Sequence, residues 1–285
     1  MEIIKRTPQM KALAGRIHED GKRIGFVPTM GALHAGHLSL MHRARQMSDV
    51  VIVSIFINPI QFGPSEDLDR YPRDLAHDAE LCLSRGVDYI FAPLIDEIYP
   101  ENFATYVIVE GLSDKLCGAS REGHFRGVTT VVSKLFNVMK PDYAFFGRKD
   151  AQQSVIIKRM VADLCLDTEI VVCPIVRDDD GLALSSRNAY LSGEERQAAT
   201  VLHRALEKAQ VSYGAGTREV SALQAAMEEL IATEPLVRID YISIVDAVDL
   251  EPVQVIEDER TTLIALAAFV GKTRLIDNVV LNGEI

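Results

Sequence analysis

Residues 50–57 read Val-Val-Ile-Val-Ser-Ile-Phe-Ile. A single hydroxyl interrupts the run, so apolar and polar side chains do not alternate and neither face of an extended segment is suited to water. Such a strand belongs inside a parallel sheet covered on both sides, since a half-exposed strand would show a period of two. The run is too short to cross a bilayer as a helix, which takes ~20 residues. The other long apolar stretch, residues 263–270, is no longer.

Outward from this strand, further β-rich runs fall at 24–27, 89–92, 143–146 and 169–173, with amphipathic patterns at 37–47, 74–85, 128–139 and 150–166 between them. Strands alternating with helices mark the crossover units of a doubly wound α/β domain with a parallel sheet, Rossmann-like in kind. Past Cys173 the texture changes. An acidic turn, Asp178-Asp179-Asp180-Gly181, leads to Ser192-Gly193-Glu194-Glu195, whose Ser and Glu three apart form a capping box at a helix start. A helical pattern at 218–231 and period-two strands at 238–245, 262–270 and 273–281 then predict a smaller α+β C-terminal domain. The expected division is residues 1–176 and 177–285.

The chain has 285 residues, with 30 Lys and Arg against 41 Asp and Glu, a formal net charge of −11. That balance opposes binding to nucleic acid, where affinity comes from cationic side chains displacing counterions from phosphates. The acidity is uneven: residues 1–176 hold 20 basic and 22 acidic side chains, residues 177–285 hold 10 and 19. The first part is therefore near neutrality and can focus positive charge on a small polyanion. Cys82, Cys117, Cys165 and Cys173 are scattered and form no C-x-x-C pair, which predicts reduced thiols and no zinc site. The start, MEIIKRTPQM, lacks the apolar core of a secretory signal, so a cytoplasmic location without a membrane partner is expected.

In doubly wound sheets, ligands bind beyond the carboxyl ends of the strands. The first strand-to-helix loop, Pro28-Thr29-Met30-Gly31-Ala32-Leu33-His34-Ala35-Gly36-His37, matches neither a Walker A loop nor G-x-G-x-x-G. Its glycines allow close backbone approach, and the helix start offers N–H groups and a positive dipole end to an anion. From spacing alone, His34 and His37 read as helix caps or solvent-facing groups; in a strand-loop-helix setting they read as donors to phosphate. After the 143–146 strand comes Gly147-Arg148-Lys149-Asp150-Ala151-Gln152-Gln153. There Lys149 suits phosphate, Asp150 either caps the helix or accepts from a ribose hydroxyl, and Gln153 follows one turn on.

Three further segments carry candidate chemistry. Leu184-Ser185-Ser186-Arg187 reads either as a polar interdomain linker or as a clamp of hydroxyls and guanidinium for a leaving pyrophosphate. Asn58-Pro59-Ile60-Gln61-Phe62-Gly63 places the Gln61 amide just past the buried strand, where it suits a carboxylate or hydroxyl. Glu66, Asp67 and Asp69 lack calcium-loop spacing and read as solvated charges. Gly123-His124-Phe125-Arg126-Gly127-Val128 reads equally as an anion-binding helix start and as an ordered loop.

Taken together, P-T-M-G-A-L-H-x-G-H at 28–37, N-P-x-Q-F at 58–62, Y-P-R at 71–73, G-H-F-R-G-V at 123–128, G-x-K-D-x-Q-Q at 147–153 and S-S-R-N at 185–188 closely resemble the pantothenate synthetase (pantoate:β-alanine ligase) family of HIGH-type nucleotidyltransferases. The resemblance implies ATP-dependent joining of (R)-pantoate to β-alanine through a pantoyl adenylate, giving pantothenate, AMP and pyrophosphate. It further implies that Met30, Gly31, Ala32, Leu33, His34, Ala35, Gly36 and His37 hold ATP, with His37 as proton donor. Gly147, Arg148, Lys149, Asp150, Val176, Leu184, Ser185, Ser186 and Arg187 would complete the nucleotide site. Of these, His34, His37, Lys149, Ser185, Ser186 and Arg187 would be catalytic. Gln61, Gln153, Met30, Asn58 and Tyr71 would meet substrate, Gln61 touching both pantoate and β-alanine. Mg2+ would be held mainly through the ATP phosphates, with no protein metal ligands assigned. A homodimer and a lid-like C-terminal domain are implied in the same way.

Leu184 stands where the family commonly has Met, a near-isosteric change. Competing readings are another HIGH-type nucleotidyltransferase, which has no need of the two glutamines, a class I aminoacyl-tRNA synthetase, for which the chain is short and acidic, and a protein that senses ATP without turnover.

Overall fold

The computed structural model describes residues 1–64 and 66–285. Its first unit comprises residues 1–147 and 156–173, its second residues 148–155 and 174–285.

The first unit opens on strand β1 (Glu2–Ile4) and helix α1 (Thr7–Glu19), followed by β2 (Ile24–Thr29), α2 (Ala35–Met47) and β3 (Val50–Ile55). Then come α3 (Leu75–Ser84), β4 (Tyr89–Phe91), two short helices α4 (Ile95–Ile98) and α5 (Cys117–Ser120), α6 (His124–Met139) and β5 (Tyr143–Gly147). Helix α7 (Ala151–Asp163) crosses the division between the units, and β6 (Glu169–Cys173) completes the sheet. The order is β1-β4-β3-β2-β5-β6, with every pairing parallel.

This is the doubly wound sheet that the 50–57 run predicts. Residues 50–54 are all buried, and Val51, Ile52 and Val53 have no exposed surface. On one face Val51 and Val53 meet the apolar stripe of α2, Leu40, Met41 and Ala44. Truncating a side chain so enclosed, Ile52→Ala for example, typically costs ~2–5 kcal/mol. The order reverses at β2, which lies between β3 and β5, and a reversal of this kind opens a crevice beyond the strand ends.

Besides the short α4 and α5 and the separate helix Val201–Gly214, two N-terminal elements lie outside the sequence reading. Helix α1 has Pro8 in its first turn and buries Met10, Leu13, Ala14 and Ile17, a helical spacing that the short N-terminal segment did carry. Strand β1 is a three-residue edge that pairs with β4. Helix α6 begins at His124, four residues ahead of the expected start, with Gly123 in the left-handed region (φ 77°) as its N-cap. The G-H-F-R-G segment is thus the first turn of the helix.

The second unit has helices α8 (Gly193–Ala199), α9 (Val201–Gly214) and α10 (Val220–Ile231) and an antiparallel sheet of β7 (Val237–Asp246), β8 (Thr262–Val270) and β9 (Thr273–Leu281). Ser192 and Glu195 make the expected capping box on α8. Leu202, Leu206, Leu223, Met227 and Ile231 of the helices pack with Ile244, Ile264 and Leu266 of the sheet. Strand β8 departs from the expected period of two: as the central strand it is buried at eight of its nine positions. The acidic turn at 178–180 is spanned by Arg196, whose guanidinium lies 2.6 Å from Asp178 and 3.1 Å from Asp180.

Candidate active site

The loop leaving β2 is shaped by its own hydrogen bonds. Thr29 Oγ1 donates to Ser54 O (2.7 Å) and accepts from Gly31 N–H (3.2 Å), tying the loop to the neighbouring strand. Gly31 (φ 82°) and Ala32 (φ 51°) both take left-handed conformations, which turn successive amides to one side. The amides of Ala32 and Leu33 donate to the two carboxylate oxygens of Asp78 on α3, at 3.0 and 2.9 Å. A Cβ on Gly31 would stand 2.8 Å from the same carboxylate, so glycine is needed twice over. Asp78 is 2% exposed, and burial holds its carboxyl above the usual range despite the opposing amide bonds. The amides of Ala32 and Leu33 are therefore bonded to a carboxylate of the protein itself.

At the start of α2 both histidine readings meet. His34 is the N-cap: its Nδ1 accepts from Gly36 N–H (3.2 Å), and His37 Nδ1 accepts from His34 N–H (3.3 Å), a capping box built from imidazoles. The ring centroids are 4.1 Å apart. Because each Nδ1 accepts, each neutral ring carries its proton on Nε2. Capping uses Nδ1, the edge of each ring opposite Nε2, at a helix N-terminus whose dipole favours an anion.

Gln61 is held from three directions. Its side-chain oxygen accepts from Asn58 Nδ2 (2.9 Å), and its Nε2 donates to Met30 Sδ (3.1 Å). Its backbone carbonyl accepts from His124 Nδ1 at 2.8 Å, because His124 Nε2 already accepts from Arg121, which donates only. Arg121 is in turn fixed by a two-pronged bond to Glu66 at 2.7 and 2.6 Å. Third, a Cβ on Gly127 would come within 2.7 Å of the Gln61 backbone. The G-H-F-R-G-V segment is thus an ordering device for the Gln61 turn, and Glu66 is part of that device. Asn58, only 1% exposed, also donates to Gly127 O (3.0 Å) and accepts from Tyr99 OH (2.8 Å); its side chain is committed to the protein. Tyr71 is buried edge-on against Phe62, with centroids 6.0 Å apart. Sequence reasoning passed over Asp78 and Tyr99. For Asp78 a signal existed: it lies four residues before Cys82 on the inward stripe of α3, where a carboxylate needs an explanation.

In the second unit, a turn of 3-10 helix over Arg148–Asp150 carries Lys149. Asn278 of β9, 3% exposed, donates through Nδ2 to the carbonyls of both Arg148 (2.8 Å) and Lys149 (2.9 Å). Its neighbour Asp277 grips the Arg177 guanidinium at 2.6 and 2.9 Å, and Arg177 donates to Gly181 O (3.0 Å). A bond from Leu184 N–H to Val176 O (3.0 Å) closes the same hairpin. Ser185 then caps the 3-10 turn Ser186–Tyr190 by accepting from Arg187 N–H (3.3 Å). The 176–188 segment is accordingly a built turn in which Ser185 has a structural bond of its own. Gln153 lies, half-buried, in the first turn of α7.

The sequence profile of the Pantoate-beta-alanine ligase family matches residues 2–280. The chain is 54% identical over 284 residues to the pantothenate synthetase of Caldicellulosiruptor bescii, covering the whole of both. Among solved structures, the pantothenate synthetase of Thermus thermophilus superposes with a TM-score of 0.92 at 45% identity, covering 98% of this chain and 99% of its own. The pantoate-beta-alanine ligase of Francisella tularensis, solved with beta-gamma ATP and beta-alanine, does so at 0.81 and 35%, covering 100% and 99%. A six-stranded parallel sheet carrying an imidazole pair at the start of the helix after its β2 strand marks a nucleotide-using α/β enzyme. The chain belongs to the pantoate-beta-alanine ligase family. It is an AMP-forming ligase that condenses pantoate with β-alanine at the expense of ATP.

Proposed function

We propose how the residues of this chain divide that reaction. A carboxylate cannot accept an amine directly, because oxide would have to leave. Attack of a pantoate carboxylate oxygen on the α-phosphorus forms the acyl adenylate and breaks the bond to pyrophosphate. The amine of β-alanine then adds to the acyl carbon and AMP departs. The first step needs in-line alignment and donors aimed at the phosphoryl oxygens. The observation that carries the assignment is the pair of backbone N–H bonds accepted by the two Nδ1 atoms: in the neutral rings they put the protons on Nε2, which His34 and His37 would offer to phosphate, His37 being the donor to the leaving group.

On the same reading, Lys149, Ser186 and Arg187 contribute charge and hydroxyl donors to the phosphates, with Ser185 doing so beside its capping bond. Gln61 and Gln153 meet pantoate, and Met30 lies against Gln61. Asn58 serves substrate through Gln61. Among the described residues no group of three His, Cys, Asp or Glu side chains is spaced to hold a metal. On the resemblance, magnesium would be held mainly through the ATP phosphates, where it would neutralise charge. A homodimer follows from the resemblance alone; light scattering of the purified chain at micromolar concentration tests it. No helix among the described residues is long and apolar enough to cross a membrane.

The decisive experiment is exchange of labelled pyrophosphate into ATP with pantoate present and β-alanine absent. Exchange that depends on pantoate supports adenylation before the amine arrives. Folded protein that shows no exchange above background, yet makes pantothenate when β-alanine is added, would refute the two-step order.

A further inference from the structure

The hydrogen bonds around Asn58 have a direction. Gly127 O is a carbonyl and can only accept, so the Asn58 atom 3.0 Å from it is Nδ2. Oδ1 then faces Tyr99 OH, which donates to it at 2.8 Å. The remaining Nδ2 proton points to Gln61 at 2.9 Å, and the Gln61 atom it meets must be the oxygen. That fixes the far edge of the Gln61 amide as NH2, which lies 3.1 Å from Met30 Sδ. Left alone, an amide presents either edge. Here a carbonyl on α6 and a phenol just past α4 remove the choice.

From this we infer that Tyr99 is a positioning residue for substrate selection: through Asn58 it locks Gln61 as a hydrogen-bond donor, so that the group Gln61 recognises must be an acceptor, a carboxylate or hydroxyl oxygen. The inference rests on the reading that Gln61 meets pantoate. The phenol is well placed for a permanent donor. Its ring packs edge-on with Phe103, with centroids 4.9 Å apart, and burial pushes its ionisation well above the usual tyrosine range, so it keeps its proton at any pH at which the enzyme works. Phenylalanine would keep the packing and leave Asn58 Oδ1 in a buried site without its donor.

The test uses the full chain and compares Tyr99→Phe, Gln61→Ala, their double variant and Gln61→Glu, with melting curves to verify folding. Tyr99→Phe should raise the KM for pantoate about tenfold, the effect of one buried hydrogen bond, while the KM for ATP stays within about twofold. In the Gln61→Ala background the same change should add less than about twofold, because Tyr99 acts through an amide no longer there. Gln61→Glu presents only acceptors in the same shape and should lose pantoate affinity by at least as much as Gln61→Ala. If Tyr99→Phe is as costly with Ala at position 61 as with Gln, or if the Glu variant keeps the wild-type KM for pantoate, the lock is overturned. If Gln61→Ala leaves the KM for pantoate unchanged, the assignment of Gln61 to pantoate fails, and the lock with it.

Discussion

The histidine pair makes a prediction that separates two functions of one side chain. Each imidazole caps through Nδ1 and, on the reading proposed above, donates to phosphate through Nε2. Asparagine places an oxygen near the Nδ1 position and nothing at Nε2, so His34→Asn and His37→Asn should keep the cap and lose the donor. A donor aimed at developing charge is worth ~2.7–4 kcal/mol, so pyrophosphate exchange should fall by ~10²–10³. Asn is a good N-cap, so for His34→Asn the melting temperature should barely move. His34→Ala and His37→Ala lose both functions. They should show the same fall in exchange plus a loss of ~0.5–2 kcal/mol in stability. At about 2–4 °C per kcal/mol for a unit of this size, that appears as a drop of a few degrees. For His37→Ala, affinity for ATP should stay within roughly tenfold, since the lost contact matters mainly in the transition state. Asn variants with near-wild-type exchange would mean that the Nε2 edges are idle; Asn and Ala variants with equal melting points would mean that the imidazoles do not cap.

Asp78→Asn replaces one of two amide acceptors by a competing donor and should cost ~1–3 kcal/mol in urea unfolding at neutral pH. Because burial raises the carboxyl above its unfolded value, the folded chain binds that proton more tightly; the resulting stabilisation is complete below the unfolded pKa and fades as pH rises through the folded one. The gap between wild type and Asp78→Asn should therefore narrow with rising pH across that window, and a gap that widens would contradict the assignment. At Asn278, aspartate should be worse than alanine, because it aims a carboxylate at the carbonyls of Arg148 and Lys149, whereas alanine also deletes a buried Oδ1 that has no partner. Relative kcat values settle that order. In thiol titration of the native chain, exposed Cys165 should react fast while Cys82, its thiol pushed up to about 12 by burial, stays protonated and silent until denaturant is added.

Much of the fold was legible because burial on both faces leaves a mark in composition. The 50–57 run needs no alternation, and the segments around it supply the crossover helices. Where length or context sets structure, the signal fails: β1 is three residues long, and the burial of β8 on both faces depends on what packs against it. The site divides along the same line. His34, Gln61 and Lys149 stand in motifs, and their chemistry shows in the side chain itself. Asp78, Tyr99 and Asn278 act only through partners 46, 41 and 129 residues away, a distance at which a single sequence gives no pairing. Their types were plain, but an inward Asp or Asn becomes meaningful only once its acceptors and donors are placed.

The parallel register explains why two motifs far apart in sequence come to share one set of contacts. β2 and β3 pair so that Thr29 lies opposite Ile55, and both chains leave the sheet at the same edge, travelling in the same direction. The loop at 30–34 and the turn at 58–62 therefore begin as neighbours, before any side chain chooses a partner. Thr29 Oγ1 reaches across to Ser54 O, and Gln61 Nε2 reaches back to Met30 Sδ. A one-residue slip between these strands would send Val51 and Val53 to the side of the sheet that Ile52 now fills, into a differently shaped part of the core. Close packing on both faces of residues 50–54 thus holds the register, and the register sets where the histidine loop and the Gln61 turn leave the sheet relative to each other. Catalytic geometry in this unit is a consequence of core packing, and substitutions in Val51 or Ile52 large enough to shift the strand should alter the KM for pantoate before they unfold the chain.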